Sequence, residues 1–154
     1  MRQVTPDLFN QHMSINALGP LLVTKHFSSL LNPTPGPSTW PHTIVANISA
    51  RTGSIGDNGL GGWYSYRASK AALNQITKTI SVELSRGSKN QIISVVLHPG
   101  TVDTDLSRDF VKGVPKDKLF SPDTSAQKLF DVITSLKVED NGKFYDFARK
   151  EIVW

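Results

Sequence analysis

The chain has 154 residues and no cysteine, which excludes disulfides, thiolate metal sites and a cysteine nucleophile. Its 38% hydrophobic and 19% charged content is that of a globular domain able to bury a core, not of a disordered segment. The formal charge of +4 comes from 17 scattered Lys and Arg that form no run, so no nucleic-acid partner is expected, whereas an anionic cofactor is compatible.

The first residues, Met1 to Pro6, hold no apolar run of the kind a signal peptide needs. No stretch approaches the roughly 20 apolar residues of a membrane span, so a soluble, cytoplasmic protein without membrane contact is the expected class. Thr5-Pro6-Asp7 reads as a helix start: a capping hydroxyl, a proline suited to the first turn and an acid at the positive end of the dipole. Leu8, Phe9, His12, Met13, Leu18, Leu22 and Val23 continue at helical spacing to about Leu31, with a kink expected at Gly19-Pro20. Asn16 lies just before that break, where a freed carbonyl needs a partner. Asn32 to Pro41, with four prolines and a glycine, is a loop. Thr43 to Ser49 is short, apolar and β-branched, a strand buried on both faces.

Gly53 to Gly62 contains five glycines and predicts a mobile or closely approached loop. It offers no Gly-x-Gly-x-x-Gly or Gly-x-x-x-x-Gly-Lys phosphate cradle. A helix follows from about Trp63 to Leu84, with Leu73, Ile76, Ile80 and Leu84 on one stripe and Gly87 past its end. Gln91 to His98 is a second buried strand, stopped by Pro99-Gly100. Thr101 to Ser121 reads as a loop or lid with scattered apolar residues (Leu106, Phe110, Val111, Leu119, Phe120), and Asp103 and Asp105 cap or solvate it. A last helix runs from Pro122 to Leu136, capped by Ser121, and a short strand from Gly142 to Phe147 closes the pattern. Helices alternating with strands imply a parallel sheet covered on both faces, with the site beyond the carboxyl ends of the strands. Ser49 and Pro99-Gly100 mark those ends.

Tyr66 and Lys70 are four residues apart, so on a helix they sit one turn above the other. A fixed ammonium beside a phenol favours proton exchange at that phenol. A Tyr-x-x-x-Lys spacing recurs by chance, so its weight comes from context: a glycine-rich loop before it and a strand ending in serine before that. His12, His26, His42 and His98 show no ligand spacing, and no metal site is expected.

Taken together, Tyr66-Arg67-Ala68-Ser69-Lys70-Ala71-Ala72, Pro99-Gly100-Thr101-Val102-Asp103-Thr104 and Asn16 within Ile15-Asn16-Ala17-Leu18-Gly19 resemble the short-chain dehydrogenase/reductase family. The ending from Gly142-Lys143-Phe144-Tyr145-Asp146 to Trp154 resembles its carbonyl-reductase-like branch. The resemblance spans essentially the whole chain but only the second half of that family's fold. It therefore implies one partial domain over residues 1–154: the C-terminal half of a Rossmann-like, doubly wound α/β parallel sheet.

The resemblance also implies roles. Tyr66 is the general acid for carbonyl reduction, or the base for alcohol oxidation. Lys70 lowers its pKa and binds the nicotinamide ribose, and Asn16 holds a water that links Lys70 to solvent. Pro99, Gly100, Thr101, Val102 and Thr104 line the nicotinamide side of NADP or NAD. A serine orients the substrate carbonyl. The family's usual position for it holds Ala50 here, leaving Ser49, then Ser54, as candidates.

The family's Gly-x-x-x-Gly-x-Gly turn is absent from the sequence. Weak cofactor binding and no activity by the chain alone are therefore expected, with Thr43–Ser49 left as an exposed edge. The expected substrate is a small carbonyl or alcohol. The alternative expectation is a non-catalytic remnant acting as an interaction or dimerisation module, with homo-oligomers forming through the helices carrying Asn16 and Tyr66.

Overall fold

A computed structural model describes residues 4–31, 43–86, 92–105, 107–108, 113–115 and 118–154. The Asn32–Pro41 loop, Gly87, and the lid residues Leu106, Phe110 and Val111 lie outside the described residues. Helix α1 (Pro6–Met13) starts as expected, with the Thr5 hydroxyl accepting from the Leu8 N–H at 3.2 Å. In place of a break at Gly19-Pro20, the helix widens just upstream of it. A π-helical segment, Ser14–Leu18, precedes α2 (Gly19–Phe27), and the Gly19 N–H donates to the Ser14 carbonyl. The cause is local. Pro20 has no N–H for the Asn16 carbonyl, and one widened turn before it absorbs the mismatch, so Pro20 sits in the first turn of α2.

Strand β1 (Thr43–Ile48) leads into α3 (Tyr64–Leu84), which returns the chain to β2 (Ile92–His98). Two-residue strands β3 (Thr101–Val102) and β4 (Leu119–Phe120) pair in parallel across the lid and close its base. Helix α4 (Pro122–Thr134) is capped by Ser121, whose hydroxyl accepts from the Thr124 N–H, and leads to β5 (Phe144–Asp146). The main sheet is parallel in the order β1-β2-β5, with Ile48 opposite Leu97 and His98 opposite Asp146.

The pleat divides β2 between two layers. Ile93, Val95 and Leu97 join Val132, Leu136 and Tyr145 in a core under α4, while Val96 packs with Phe144 and Ile152. Full burial of such side chains contributes roughly 1.5–3 kcal/mol each. On the α3 side the layer is polar and largely hydrogen-bonded, though Asn74 Nδ2 is buried without a partner among the described residues. The Asn47 amide donates to Thr77 Oγ1, and Thr77 Oγ1 donates to the Leu73 carbonyl. Strand β2 is buried from Ile92 to Leu97, whereas β1 is half-buried and, among the described residues, pairs with β2 alone.

Candidate functional site

The carboxyl ends of β1 and β2 meet the first turns of α3, and the sequence-picked residues converge there. Tyr66 is half-buried on α3, with the Lys70 ammonium 5.9 Å from its ring centroid. Lys70 Nζ donates to the Ile48 carbonyl at 3.1 Å, which anchors it to the end of β1 and leaves donors to spare. Burial pushes the Tyr66 phenol above its ordinary value and pulls the Lys70 ammonium below its own. Desolvation is the cause of both shifts.

The turn after β1 touches this pair directly. An added Cβ at Gly53 would stand 2.7 Å from Lys70 Cβ and 2.8 Å from its carbonyl carbon. No side chain fits there, which accounts for this glycine by close approach.

Asn16, on the π-helical segment, is brought to α3. Its Nδ2 donates to Ser69 Oγ at 3.0 Å, and Ser69 Oγ donates to the Tyr66 carbonyl at 2.8 Å. The same Nδ2 lies 3.4 Å from His12 Nδ1, and the His12 ring meets the Tyr66 ring edge-on at 5.9 Å. Ser69 and His12 were not singled out from sequence as site residues. The signal for His12 was its place one helical turn before Asn16.

The serine hydroxyls are turned to partners within the chain. Ser49 is 2% exposed, and its hydroxyl donates to Asn74 Oδ1 at 2.7 Å. The reason is parity: Ser49 lies two residues beyond Asn47, so both side chains point beneath α3. Ser54, also 2% exposed, donates to the Val153 carbonyl and accepts from the Asp57 N–H. Both hydroxyls already have partners inside the chain.

Gly100 takes φ +81°, and a Cβ there would come within 2.7 Å of Phe120, so the Pro99-Gly100 turn is closed against the base of the lid. The Pro99 carbonyl accepts from Ser125 Oγ. Thr101 and Val102 are half-buried in β3, and the Thr104 N–H donates to Ser107 Oγ. Asp105 is exposed and paired with Arg108, as expected for a solvated lid residue. Among the described residues no group of His, Asp or Glu could hold a metal ion, and no helix is long and apolar enough to cross a membrane.

A parallel α/β sheet with tyrosine, lysine and asparagine gathered at its carboxyl edge defines the class. Residues 1–114 match the short chain dehydrogenase family, and the chain belongs to it. The chain is 39% identical over 141 residues to the C-signal protein of Myxococcus xanthus, covering 92% of this chain and 75% of that protein. It is 36% identical over 138 residues to 1-hydroxy-2-glutathionyl-2-methyl-3-butene dehydrogenase of Rhodococcus sp., covering 90% of this chain and 55% of the enzyme. Among solved structures it superposes on carbonyl reductase Sniffer of D. melanogaster with a TM-score of 0.84 at 28% identity, over 100% of this chain and 60% of that one. The NADPH-bound carbonyl reductase from chicken fatty liver gives a TM-score of 0.82 at 28% identity, again over 100% of this chain and 60% of that one.

Proposed function

We propose that this chain is the catalytic half of an NAD(P)-dependent oxidoreductase that interconverts a carbonyl and an alcohol by hydride transfer. The observation that supports the reading is the gathering of Asn16, Tyr66 and Lys70 about the first turns of α3, with Lys70 anchored to the carboxyl end of β1. The naming of a dehydrogenase and two carbonyl reductases among the similar proteins supports it. A bound nicotinamide cofactor supplies or accepts the hydride.

The chain's own residues do the rest. Burial keeps the Tyr66 phenol protonated, so in reduction it hydrogen-bonds the substrate carbonyl oxygen and releases its proton as charge develops there. Lys70, fixed by the Ile48 carbonyl, stabilises the phenolate left behind and has donors free for the ribose. Asn16 has a backbone carbonyl that Pro20 cannot serve, an acceptor for the water that resupplies the proton. Pro99, Gly100, Thr101, Val102 and Thr104 form the nicotinamide side. Ser49 or Ser54 reaches substrate only by leaving its present partner, Asn74 or Val153.

The sequence contains no Gly-x-x-x-Gly-x-Gly turn to cradle a pyrophosphate, so the 154-residue chain alone is expected to bind cofactor weakly. Titration with NADPH and NADH should show no saturation at micromolar concentrations; saturable micromolar binding overturns this part. An extended form carrying a dinucleotide-binding half should oxidise NADPH or NADH when given small aldehydes and ketones. No cofactor oxidation across such a panel sinks the enzyme reading.

Two copies pair, in this reading, through the helices that carry Asn16 and Tyr66. The support is the exposure of Ile15, Leu18, Leu22, Val23 and Phe27 along the π-helical segment and α2. Sedimentation equilibrium should give a dimer that Leu18→Glu shifts to monomer; a monomeric parent at tens of micromolar rejects the pairing.

A further inference from the structure

Two hydrogen bonds meet on the Asn16 amide, and together they fix where a neighbouring ring carries its proton. Ser69 is 0% exposed, and its one hydroxyl proton goes to the Tyr66 carbonyl at 2.8 Å. Ser69 Oγ is therefore the acceptor toward Asn16, which turns Nδ2 rather than Oδ1 to it at 3.0 Å. The other N–H of that Nδ2 is left for His12 Nδ1, 3.4 Å away. His12 Nδ1 is then the unprotonated nitrogen, and the neutral ring carries its proton on Nε2. The three side chains come from three elements: His12 from α1, Asn16 from the π-helical segment one turn later, and Ser69 from α3 between Tyr66 and Lys70. The His12 ring also meets the Tyr66 ring edge-on at 5.9 Å.

Few other titratable groups face His12. From α3 they are the Tyr66 phenol and, beside the same ring, the Lys70 ammonium. The π-helical segment carries none, and the acid of α1, Asp7, lies in the first turn of that helix while His12 lies in its last. Among the described residues no carboxylate pairs with His12. A proton added at Nδ1 therefore sets N–H against N–H, and the 3.4 Å contact, the weaker of the two bonds, breaks first. If the amide flips to offer Oδ1, that oxygen also comes to face Ser69 Oγ, whose proton must then leave the Tyr66 carbonyl. If it does not flip, the His12 ring swings away and comes off the Tyr66 ring. Either way the disturbance reaches Tyr66. We propose that His12 is a positioning residue that makes the Tyr66 site sensitive to pH: neutral, it holds the Asn16 amide in register with Ser69, and its protonation breaks that tie and slows proton delivery. This rests on Tyr66 being the acid/base and on Asn16 serving the water that resupplies it.

The test has two arms. In the isotope-labelled 154-residue chain, long-range proton–nitrogen spectra at about pH 8 should show His12 as the Nε2–H tautomer. On acidification to about pH 5 the Asn16 side-chain amide and the Ser69 backbone amide should shift with the His12 midpoint. An Nδ1–H tautomer, or an Asn16 amide indifferent to His12, overturns the proposal. In the extended enzyme, the acid limb of kcat for aldehyde reduction should follow that same midpoint. His12→Asn keeps an acceptor near the place of Nδ1 but cannot titrate; it should keep kcat within about threefold of the parent's alkaline value and lose the limb. His12→Phe keeps a ring on Tyr66 but has no acceptor; it should lower kcat by about tenfold at every pH, with KM little changed. His98 titrates in both variants, so a limb that arises there survives in His12→Asn and overturns the proposal. Parent-like kcat in His12→Phe, or equal losses in the two variants, does the same. If the extended enzyme with His12 intact turns over no aldehyde, the acid/base reading is the one that fails. The spectra alone then decide the tie between His12 and Asn16.

Discussion

Tyr66→Phe in the extended enzyme is expected to lower kcat by about 10²–10⁴-fold, the range that a positioned general acid contributes. Stability should hardly change. The ring keeps its edge-on contact with His12 and its place near Lys70, and among the described residues none hydrogen-bonds the hydroxyl. The loss should fall on kcat rather than KM, because the proton is needed only as charge develops on the substrate oxygen. The pH dependence follows from burial, which raises the phenol above its ordinary value. Carbonyl reduction, which needs the protonated form, should persist into alkaline solution, and alcohol oxidation should climb with pH. Steady-state rates of parent and variant with an aldehyde and NADPH check this. Retained turnover in Tyr66→Phe removes the role given to Tyr66.

Acid is expected to destabilise the fold through His98. Burial, and then the Arg51 guanidinium, lower its pKa from 6.5 to about 4, against the pull of Asp146 and Asp57. A depressed folded value means that the unfolded chain takes up the proton first. The associated stability is fully present above about pH 6.5 and is lost as the pH falls through about 4, amounting to about 3 kcal/mol as an order of magnitude. The structural reason is that His98 Nδ1 is buried with no partner among the described residues and the ring lies 6.5 Å from that of Phe147, so a charge there goes unsatisfied. Urea denaturation at intervals from pH 7 to 4 should show this loss in the parent. His98→Leu, which cannot titrate, should lose less over the same window; parallel curves for the two proteins reject the assignment.

Periodicity carried most of the fold. Strand β2 is apolar without alternation, and its burial on both faces followed from that pattern alone. Helix α3 began within one residue of the expected position, and Thr5 and Ser121 cap the helices they were expected to cap. The site was legible to the extent that its members share one element. Tyr66 and Lys70 are neighbours through helical spacing, so a linear reading finds them.

Other features depend on what packs above and below. Ser49 reads as a hydroxyl at the mouth of a crevice, yet strand parity turns it under α3 to Asn74. Arg67 enters the sequence only as a member of the Tyr66–Ala72 motif. Only the folded loop brings the carbonyls of Thr52, Gly61 and Gly62 to its guanidinium.

By itself the sequence determined the α/β alternation, the helical Tyr66–Lys70 pair and the strand ends beside it, because these follow from spacings of two and about 3.6 residues. The tertiary structure alone decided two things: which partners take up the Ser49 and Ser54 hydroxyls, and how burial acts on Tyr66 and Lys70. Each depends on distance and desolvation between segments far apart in the chain, and a linear pattern contains neither.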